Sequence, residues 1–288
     1  MTSIIIVTYN RELLLKKAVD SIFTQDIGEK FEIIIVDNGS CVRTAESIAR
    51  EYRNKARIIR VKARTSLSAC KELGVSTARG EIIAFIDDDC VAEENWLKNI
   101  QESIQDYDFI AGPVLAPADI KFPWWWRNSL NWLVGINPDP GKKFPPLGSN
   151  VAFKKNVFGK TGLGKNYSLL PYAEDRLRIA GLLSAGFSMG LNPDMLVYHH
   201  IPLARLKIAY LIQRSYNEGA ASAALERNPR AVMVNMLGLM INPLRLIILR
   251  DSNYFFRIIS SLSYLFNLII PGFQRHHNQN HTHIFYPG

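Results

Sequence analysis

Two hydrophobic rhythms alternate along the first third of the chain. Ser3–Thr8 is an unbroken, largely β-branched run that reads as a buried strand. From Arg11 to about Thr24 the spacing changes: Leu13, Leu14, Ala18 and Ile22 share a helical face, and Asn10 is the expected N-cap. Phe31–Val36 is a second apolar strand, closing in Asp37-Asn38-Gly39-Ser40, a turn that also suits helix initiation. Arg57–Val61 makes a short third strand, and a helix is expected over roughly Ser66–Thr77. Glu81–Ile86 is a fourth strand and ends in Asp87-Asp88-Asp89. Strands apolar on both faces and alternating with helices require a mostly parallel sheet covered on both sides, an α/β fold. Such sheets bind ligands beyond the carboxyl ends of their strands, which is where Asp37 and the three consecutive acids fall.

Past Gly112-Pro113-Val114 the pattern loosens into a Pro- and Trp-rich segment containing Trp124, Trp125, Trp126 and Trp132. A strand pattern returns over Gly148–Lys154, and a helix is expected to begin near Ala173 with Glu174 and Asp175 in its first turn. Met195–His200 reads as a strand and Leu203–Glu226 as a helix. Two apolar stretches follow, Ala231–Leu249 and Tyr254–Ile270, interrupted by Asn235, Asn242, Pro243, Arg245 and Arg257. There is no internal repeat. The segment from His276 to His283 is polar and is expected to be poorly ordered.

With 288 residues, 48% hydrophobic and 21% charged, the chain has room for one large α/β domain or two small ones. That composition excludes a disordered chain and a disulfide miniprotein. Cys41, Cys70 and Cys90 form no CxxC pair, which argues against a disulfide framework and a zinc knuckle and favours a reducing, cytosolic compartment. No basic n-region precedes the first strand, so no signal peptide is expected. The net charge of +8 is uneven: from Ile201 onward nine Arg or Lys face three acids, an excess suited to anionic lipid or phosphate. No nucleic-acid motif accompanies it.

Three adjacent carboxylates at a strand end repel one another unless a cation offsets them. In an extended chain Asp87 and Asp89 face one way and Asp88 the other. Oxygen ligation of this kind suits Mg²⁺ or Mn²⁺ shared with substrate phosphates; a solvated acidic turn is the competing reading. Glu174 and Asp175 could instead complement a helix N-terminus, and Asp37 could simply initiate a turn. His199 and His200 could be ordinary strand residues with satisfied hydrogen bonds.

Taken in order, SIIIVTYN (Ser3–Asn10), FEIIIVDNGS (Phe31–Ser40), GEIIAFIDDD (Gly80–Asp89), Gly148-Ser149-Asn150, Ala173-Glu174-Asp175 and Val197–Pro202 resemble a family 2 glycosyltransferase with the GT-A fold, over about residues 1–220. The resemblance implies inverting transfer of a sugar from a nucleotide-diphosphate donor, UDP by default. It implies that Thr8 and Tyr9 line the base pocket, that Asp37 accepts the uracil imide hydrogen and that Asp87 contacts the ribose. In the same way it implies that Asp88 belongs with the nucleotide-binding residues and that Asp89 binds Mn²⁺ or Mg²⁺, with His199 completing the metal or diphosphate site. Asp175 matches the second acid of the family's Glu-Asp pair, the catalytic base beside Glu174. Gly148, Ser149 and Asn150 match the floor of the donor-sugar and acceptor cleft. Where many members carry Ala-Arg-Asn-x-Gly, this chain has Cys70-Lys71-Glu72-Leu73-Gly74. Lys71 can meet a phosphate as a point charge but lacks arginine's fork.

A basic, apolar, helical extension is expected over 221–288. Both apolar stretches are poor membrane spans, because a central arginine costs about 2.5–3.5 kcal/mol on insertion. Helices lying on an anionic leaflet fit them better, and a helical pair packed on the catalytic domain is the alternative. The Trp124–Trp126 cluster can be a core patch, a sugar-stacking platform or an interfacial anchor. The acceptor expected by family analogy is a polyprenyl-linked or growing cell-surface saccharide at the cytoplasmic membrane face. A sugar nucleotidyltransferase, lacking here its Gly-rich basic loop after the first strand, and a non-catalytic nucleotide-sugar binder are the alternatives.

Overall fold

The computed structural model describes residues 1–25, 30–137, 144–161, 174–225 and 228–269. Ala173 and the histidine-rich segment lie outside the described residues, and so does the end of the expected Leu203–Glu226 helix. The chain divides into two compact units, Met1–Ala118 with Asp139–His200, and Asp119–Pro138 with Ile201–Gly288. The expected boundary at 220 falls inside the second of these units, and residues 119–138, with the tryptophan segment, group with it as well.

The first unit is built on β1 (Thr2–Thr8), α1 (Glu12–Phe23), β2 (Phe31–Asp37), α2 (Val42–Tyr52), β3 (Arg57–Arg60), α3 (Leu67–Thr77) and β4 (Ile82–Ile86). It continues through β5 (Cys90–Ala92), α4 (Trp96–Ser103), β6 (Phe109–Ala111), β7 (Val114–Leu115), β8 (Asn150–Lys154), α5 (Asn156–Thr161), α6 (Glu174–Ser184), β9 (Met189–Leu191) and β10 (Val197–His199). Seven strands form the main sheet in the order β3-β2-β1-β4-β8-β6-β9; a second sheet runs β5-β10-β7. The pairs β3–β2, β2–β1, β1–β4 and β6–β9 are parallel, while β8 runs antiparallel to both neighbours. The expected α/β sheet is thus present. Its core is drawn from Ile5, Ile34, Val36, Ile83 and Phe85, with Phe109 stacked on Phe153 at 5.5 Å between centroids.

Two local expectations fail for identifiable reasons. Asn10 does not cap α1: it takes a left-handed φ of 53°, and its side-chain oxygen accepts the amide of Cys41 at the start of α2, 2.8 Å away. On α1 the buried stripe is Leu15, Ala18, Val19 and Ile22, and Leu13 points to solvent. Both faces of that segment carry leucines, so spacing alone does not fix which one packs.

The second unit contains a 3₁₀ segment, Asn128–Val134, a second short one, Leu203–Leu206, and the helices α7 (Ile208–Leu225), α8 (Pro229–Leu249) and α9 (Asn253–Ile269). Asn228 caps α8 by accepting the Ala231 amide at 2.8 Å, and Pro229 occupies the first turn, where its missing N–H costs nothing. The helix runs unbroken through Pro243. Among the described residues α8 alone is long and apolar enough to cross a membrane, by length and composition, in spite of Asn235, Asn242, Pro243 and Arg245. Of the tryptophan cluster, Trp126 is buried, stacked on Phe122 and bonded through its indole N–H to Asn131 at 3.0 Å. Trp124 is 91% exposed.

Candidate active site

The chain reverses direction in the sheet at β1, which has β2 on one side and β4 on the other. The carboxyl ends of β1 and β4 therefore meet at a switch point, the place where α/β sheets hold ligands. Thr8 closes β1, and its hydroxyl donates to Asp88 Oδ2 at 2.8 Å. Beyond Ile86 the backbone leaves the strand and turns, with the Cys90 amide returning to the Asp87 carbonyl at 3.1 Å. The alternation expected for an extended Asp87-Asp88-Asp89 is lost in that turn, and Asp88 and Asp89 face one partner. Arg11 supplies it: one guanidinium nitrogen lies 3.1 Å from Asp88 Oδ1 and 3.0 Å from Asp89 Oδ2. Sequence reasoning asked for a cation here and overlooked Arg11, although it follows the Thr8-Tyr9-Asn10 turn directly.

His199 reaches the same acids through strand pairing. β5 follows the acidic turn without a gap and pairs antiparallel with β10, setting His199 opposite Cys90, one residue from Asp89. The His200 amide donates to the Asp89 carbonyl at 2.7 Å, and His199 Nε2 lies 3.4 Å from Asp89 Oδ1.

Lys71 projects from α3 into the same region. It is 2% exposed, and its ammonium lies 3.1 Å from Asp175 Oδ1 and 3.5 Å from the Gly148 carbonyl. Gly148 is required by this contact, because a Cβ there would overlap the Asp175 carboxylate. Asp87 ties the two ends of the site together. Burial pushes its carboxyl up, Lys71 and His199 pull it down, and Asp89 and Asp175 push it further up. Asp88 is pushed up to about 6, chiefly by burial, against the pull of Arg11.

The other side of the site is formed at β2. Asp37 is buried; its Oδ1 accepts the Ser40 amide at 3.0 Å, so it does initiate the turn. Among the described residues its Oδ2 makes no hydrogen bond, and it lies 3.6 Å from the Arg60 guanidinium. Asn38 clasps the Thr65 backbone in both directions, at 3.0 and 2.9 Å, and holds Arg64 where its guanidinium lies 4.3 Å from the Tyr9 ring centroid.

The remaining expected residues divide. Ser149 is half-buried beside Gly148, and the side chain of Glu174 lies outside the described residues. Asn150 is fully buried and its amide is wholly engaged: Trp96 Nε1 donates to it at 2.8 Å, and it donates to the carbonyls of Pro113 and Met195 at 2.9 and 2.6 Å. It frames the site by clamping β8 to the β7 and β10 approaches. Glu72, where many relatives of the family carry Asn, has a buried carboxylate oxygen without a hydrogen bond; burial raises its pKa and Arg178 opposes that rise.

No three His, Cys, Asp or Glu side chains among the described residues form a cluster able to hold a metal by themselves. Asp89 and His199 stand 3.4 Å apart, and a carboxylate such as Asp89 completed by substrate phosphate oxygens is a usual arrangement for Mg²⁺. The donor set fits a shared cation rather than a resident one.

The family model "Glycosyl transferase family 2" matches residues 3–162, which takes in Asp37 and the acidic turn and stops short of Asp175 and His199. "Uncharacterized glycosyltransferase EpsJ" of Bacillus subtilis is 34% identical over 115 residues, 39% of this chain and 33% of that protein. "Glycosyltransferase GlyG" of Streptococcus pneumoniae is 27% identical over 110 residues, 38% and 36% of the two chains. "Minor teichoic acid biosynthesis protein GgaA" of B. subtilis is 31% identical over 122 residues, 40% and 27%. The matches span about a third of those relatives. In fold the chain is similar to S. aureus TarS 1–349 (TM-score 0.53, 15% identity, 99% of this chain and 93% of that one). The likeness extends to TarS 1–349 solved in complex with UDP-GlcNAc (TM-score 0.54, 15% identity, 91% and 89%). A match over more than half its length makes this chain a member of glycosyl transferase family 2.

Proposed function

We propose that the chain transfers a sugar, with inversion, from a nucleotide-diphosphate donor, a UDP-sugar by default, to a hydroxyl of a saccharide or lipid-linked acceptor. The observation that supports this reading is the Lys71–Asp175 pair, 3.1 Å apart, whose charges act on Asp87 together with those of Asp89 and His199. A carboxylate is thereby set beside the strand ends where a diphosphate would lie. In the proposed step the acceptor oxygen forms a bond to the anomeric carbon, and the bond from that carbon to the diphosphate breaks. The hydroxyl proton passes to Asp175, and the bonding pair leaves with the nucleoside diphosphate. A positioned base of this kind contributes about 10²–10⁴ in rate.

Asp37 Oδ2, a buried acceptor with no hydrogen-bond donor among the described residues and only the longer Arg60 ion pair, suits the imide N–H of uracil, and Tyr9 under Arg64 supplies a flat face beside it. Asp89 and His199 would hold Mn²⁺ or Mg²⁺, which when bound neutralises charge on the departing diphosphate. The relatives named for teichoic acid synthesis and the UDP-GlcNAc complex of TarS support a cell-surface polysaccharide setting and a nucleotide-sugar donor. On this reading the protein works at the cytoplasmic face of the cell membrane.

The test is a panel of nucleotide sugars scored by melting temperature with and without Mn²⁺, followed by nucleotide release with saccharide acceptors. A bound ligand raises apparent stability by RT ln(1 + [L]/Kd), so a donor that stabilises only with metal names the substrate. Absence of any shift across the panel overturns the proposal. Stabilisation without nucleotide release from any acceptor favours the non-catalytic binder.

A further inference from the structure

In the C-terminal unit, α8 turns its aliphatic face outward and its small and polar face inward. On α8 the positions Met233, Leu237, Met240, Leu244, Ile247 and Ile248 recur at helical spacing along one face, and all are exposed, Met240 by 72% and Ile247 and Ile248 by 73% each. The opposite face carries Ala231, Asn235, Gly238 and Asn242, and Ala231 and Asn242 are the buried residues of the helix. A Cβ on Gly238 would touch Ser261 of α9 at 3.1 Å, which marks that side as the one turned inward. α9 shares the pattern in part: Ser261, Ser263 and Asn267 are buried beside Phe256 and Tyr264, the latter packed with Ala223 and Ala231, while Leu262, Phe266 and Ile269 are exposed.

The α7–α9 contact is made the same way. Gly219 lies so close to Ser260 that a Cβ would overlap its carbonyl, and the Ser263 hydroxyl donates to the Tyr216 carbonyl at 2.7 Å. In water, helices bury leucine and expose asparagine. Small residues at the contacts, hydrogen-bonding hydroxyls and amides between helices, and aliphatic chains outside are the arrangement hydrocarbon surroundings select.

Charge narrows the choice of occupant. Arg230, Arg245, Arg250 and Arg257 lie on α8, α9 and their junction, against the single acid Asp251, which is occupied by the Ser129 hydroxyl at 2.9 Å. That junction is also where the aromatic segment docks: Trp132 Nε1 donates to Asn253 at 3.1 Å. Trp124, between Lys121 and Arg127, thus belongs to a segment anchored at the C-terminal end of α8. An aromatic ring with cations beside it is the composition of a membrane–water interface.

We infer that the C-terminal unit is a lipid-docking unit: the outward face of α8 lies at the headgroup–acyl boundary of an anionic bilayer, with Trp124 and the arginines at headgroup level. Apolar burial and about 1 kcal/mol per surface arginine act together in such binding. The inference stands on this unit alone and does not depend on the transferase reading.

The test uses the full chain and sucrose-loaded vesicles of phosphatidylcholine, with and without about a third phosphatidylglycerol. Co-sedimentation with the anionic vesicles is expected, falling but persisting at high salt, and brominated phosphatidylcholine is expected to quench tryptophan fluorescence. Leu244→Asp with Ile248→Asp, both exposed and so tolerated by the fold, should lower partitioning about tenfold or more. Trp124→Ala should lower the quenching. Failure to bind either vesicle overturns the inference, and so does partitioning unchanged by the double substitution. A dimer that the same substitutions dissociate, without vesicle binding, would assign the face to a second copy of the chain and overturn it equally.

Discussion

The ammonium of Lys71 and the carboxylate of Asp175 meet at 3.1 Å across 104 residues of sequence. The lysine is almost fully buried on α3, whereas the carboxylate is about a third exposed (34%) at the start of α6. A carboxylate held this way is aimed without being closed off. Asp175→Asn should lower kcat by about 10²–10⁴ while the Kd for the nucleotide changes little. Lys71→Met should lower kcat about tenfold or more at a nearly constant donor KM, with partial recovery in Lys71→Arg. A raised donor KM with kcat intact would instead make Lys71 a phosphate contact. Steady-state kinetics with the donor identified by melting temperature separate the two.

Gly148 offers an independent handle on the same carboxylate. Gly148→Ala places a methyl group where the Asp175 carboxylate lies, and the side chain must rotate away. The fold should survive, because the displaced group is the partly exposed end of a side chain. Activity should fall about tenfold or more, since a misplacement of ~1 Å can cost about 10²-fold. A melting temperature close to that of the parent together with full turnover would remove Asp175 from the base role.

The strands, and the residues at their ends, were legible because each carries its own signal. Ser3–Thr8, Phe31–Val36 and Glu81–Ile86 are apolar on both faces, and the acids that terminate the last two stand at the ends of buried runs. What stayed hidden depends on tertiary pairing. β5, β6, β7 and β9 have only two or three residues each, too few to show a period, yet β5–β10 pairing is what carries His199 to Asp89. Arg11 looked like the first residue of a helix, and its reach across to β4 exists only once β1 and β4 are neighbours. The reversed polarity of α8 was equally invisible. An apolar stretch with two asparagines reads as a spoiled span until Asn242 is found turned inward against α9.

Arg11 should be a stabilising residue whose loss a divalent cation can offset. Its guanidinium reaches both Asp88 and Asp89, and its side chain is only 20% exposed. Arg11→Met leaves adjacent carboxylates facing each other at a strand end, at a cost of roughly 1–3 kcal/mol. Mn²⁺ without nucleotide should then raise the melting temperature of the variant by more than that of the parent. Equal shifts in the two proteins would mean that Arg11 and the cation do not share the acids.

Tyr52 provides a test of the structure away from the site. It is the buried last residue of α2, its hydroxyl has no hydrogen-bond partner among the described residues, and its pKa is pushed up to about 12, chiefly by burial and further by Asp20 and Glu51. A buried, unpartnered hydroxyl carries a desolvation cost of about 1–3 kcal/mol, so Tyr52→Phe should leave stability unchanged or raise it. The pH dependence has a definite sign. Between the ordinary value of 10.0 and about 12 the unfolded chain releases the phenolic proton while the folded one keeps it. The folded state then binds more protons, so this group's contribution lowers stability as pH rises through that window and is constant below it. Melting curves from neutral to alkaline pH should show the parent losing stability faster than the Phe variant above pH 10. Parallel curves, or a variant less stable at neutral pH, would mean that the hydroxyl has a partner and that the contacts of α2 differ from those described.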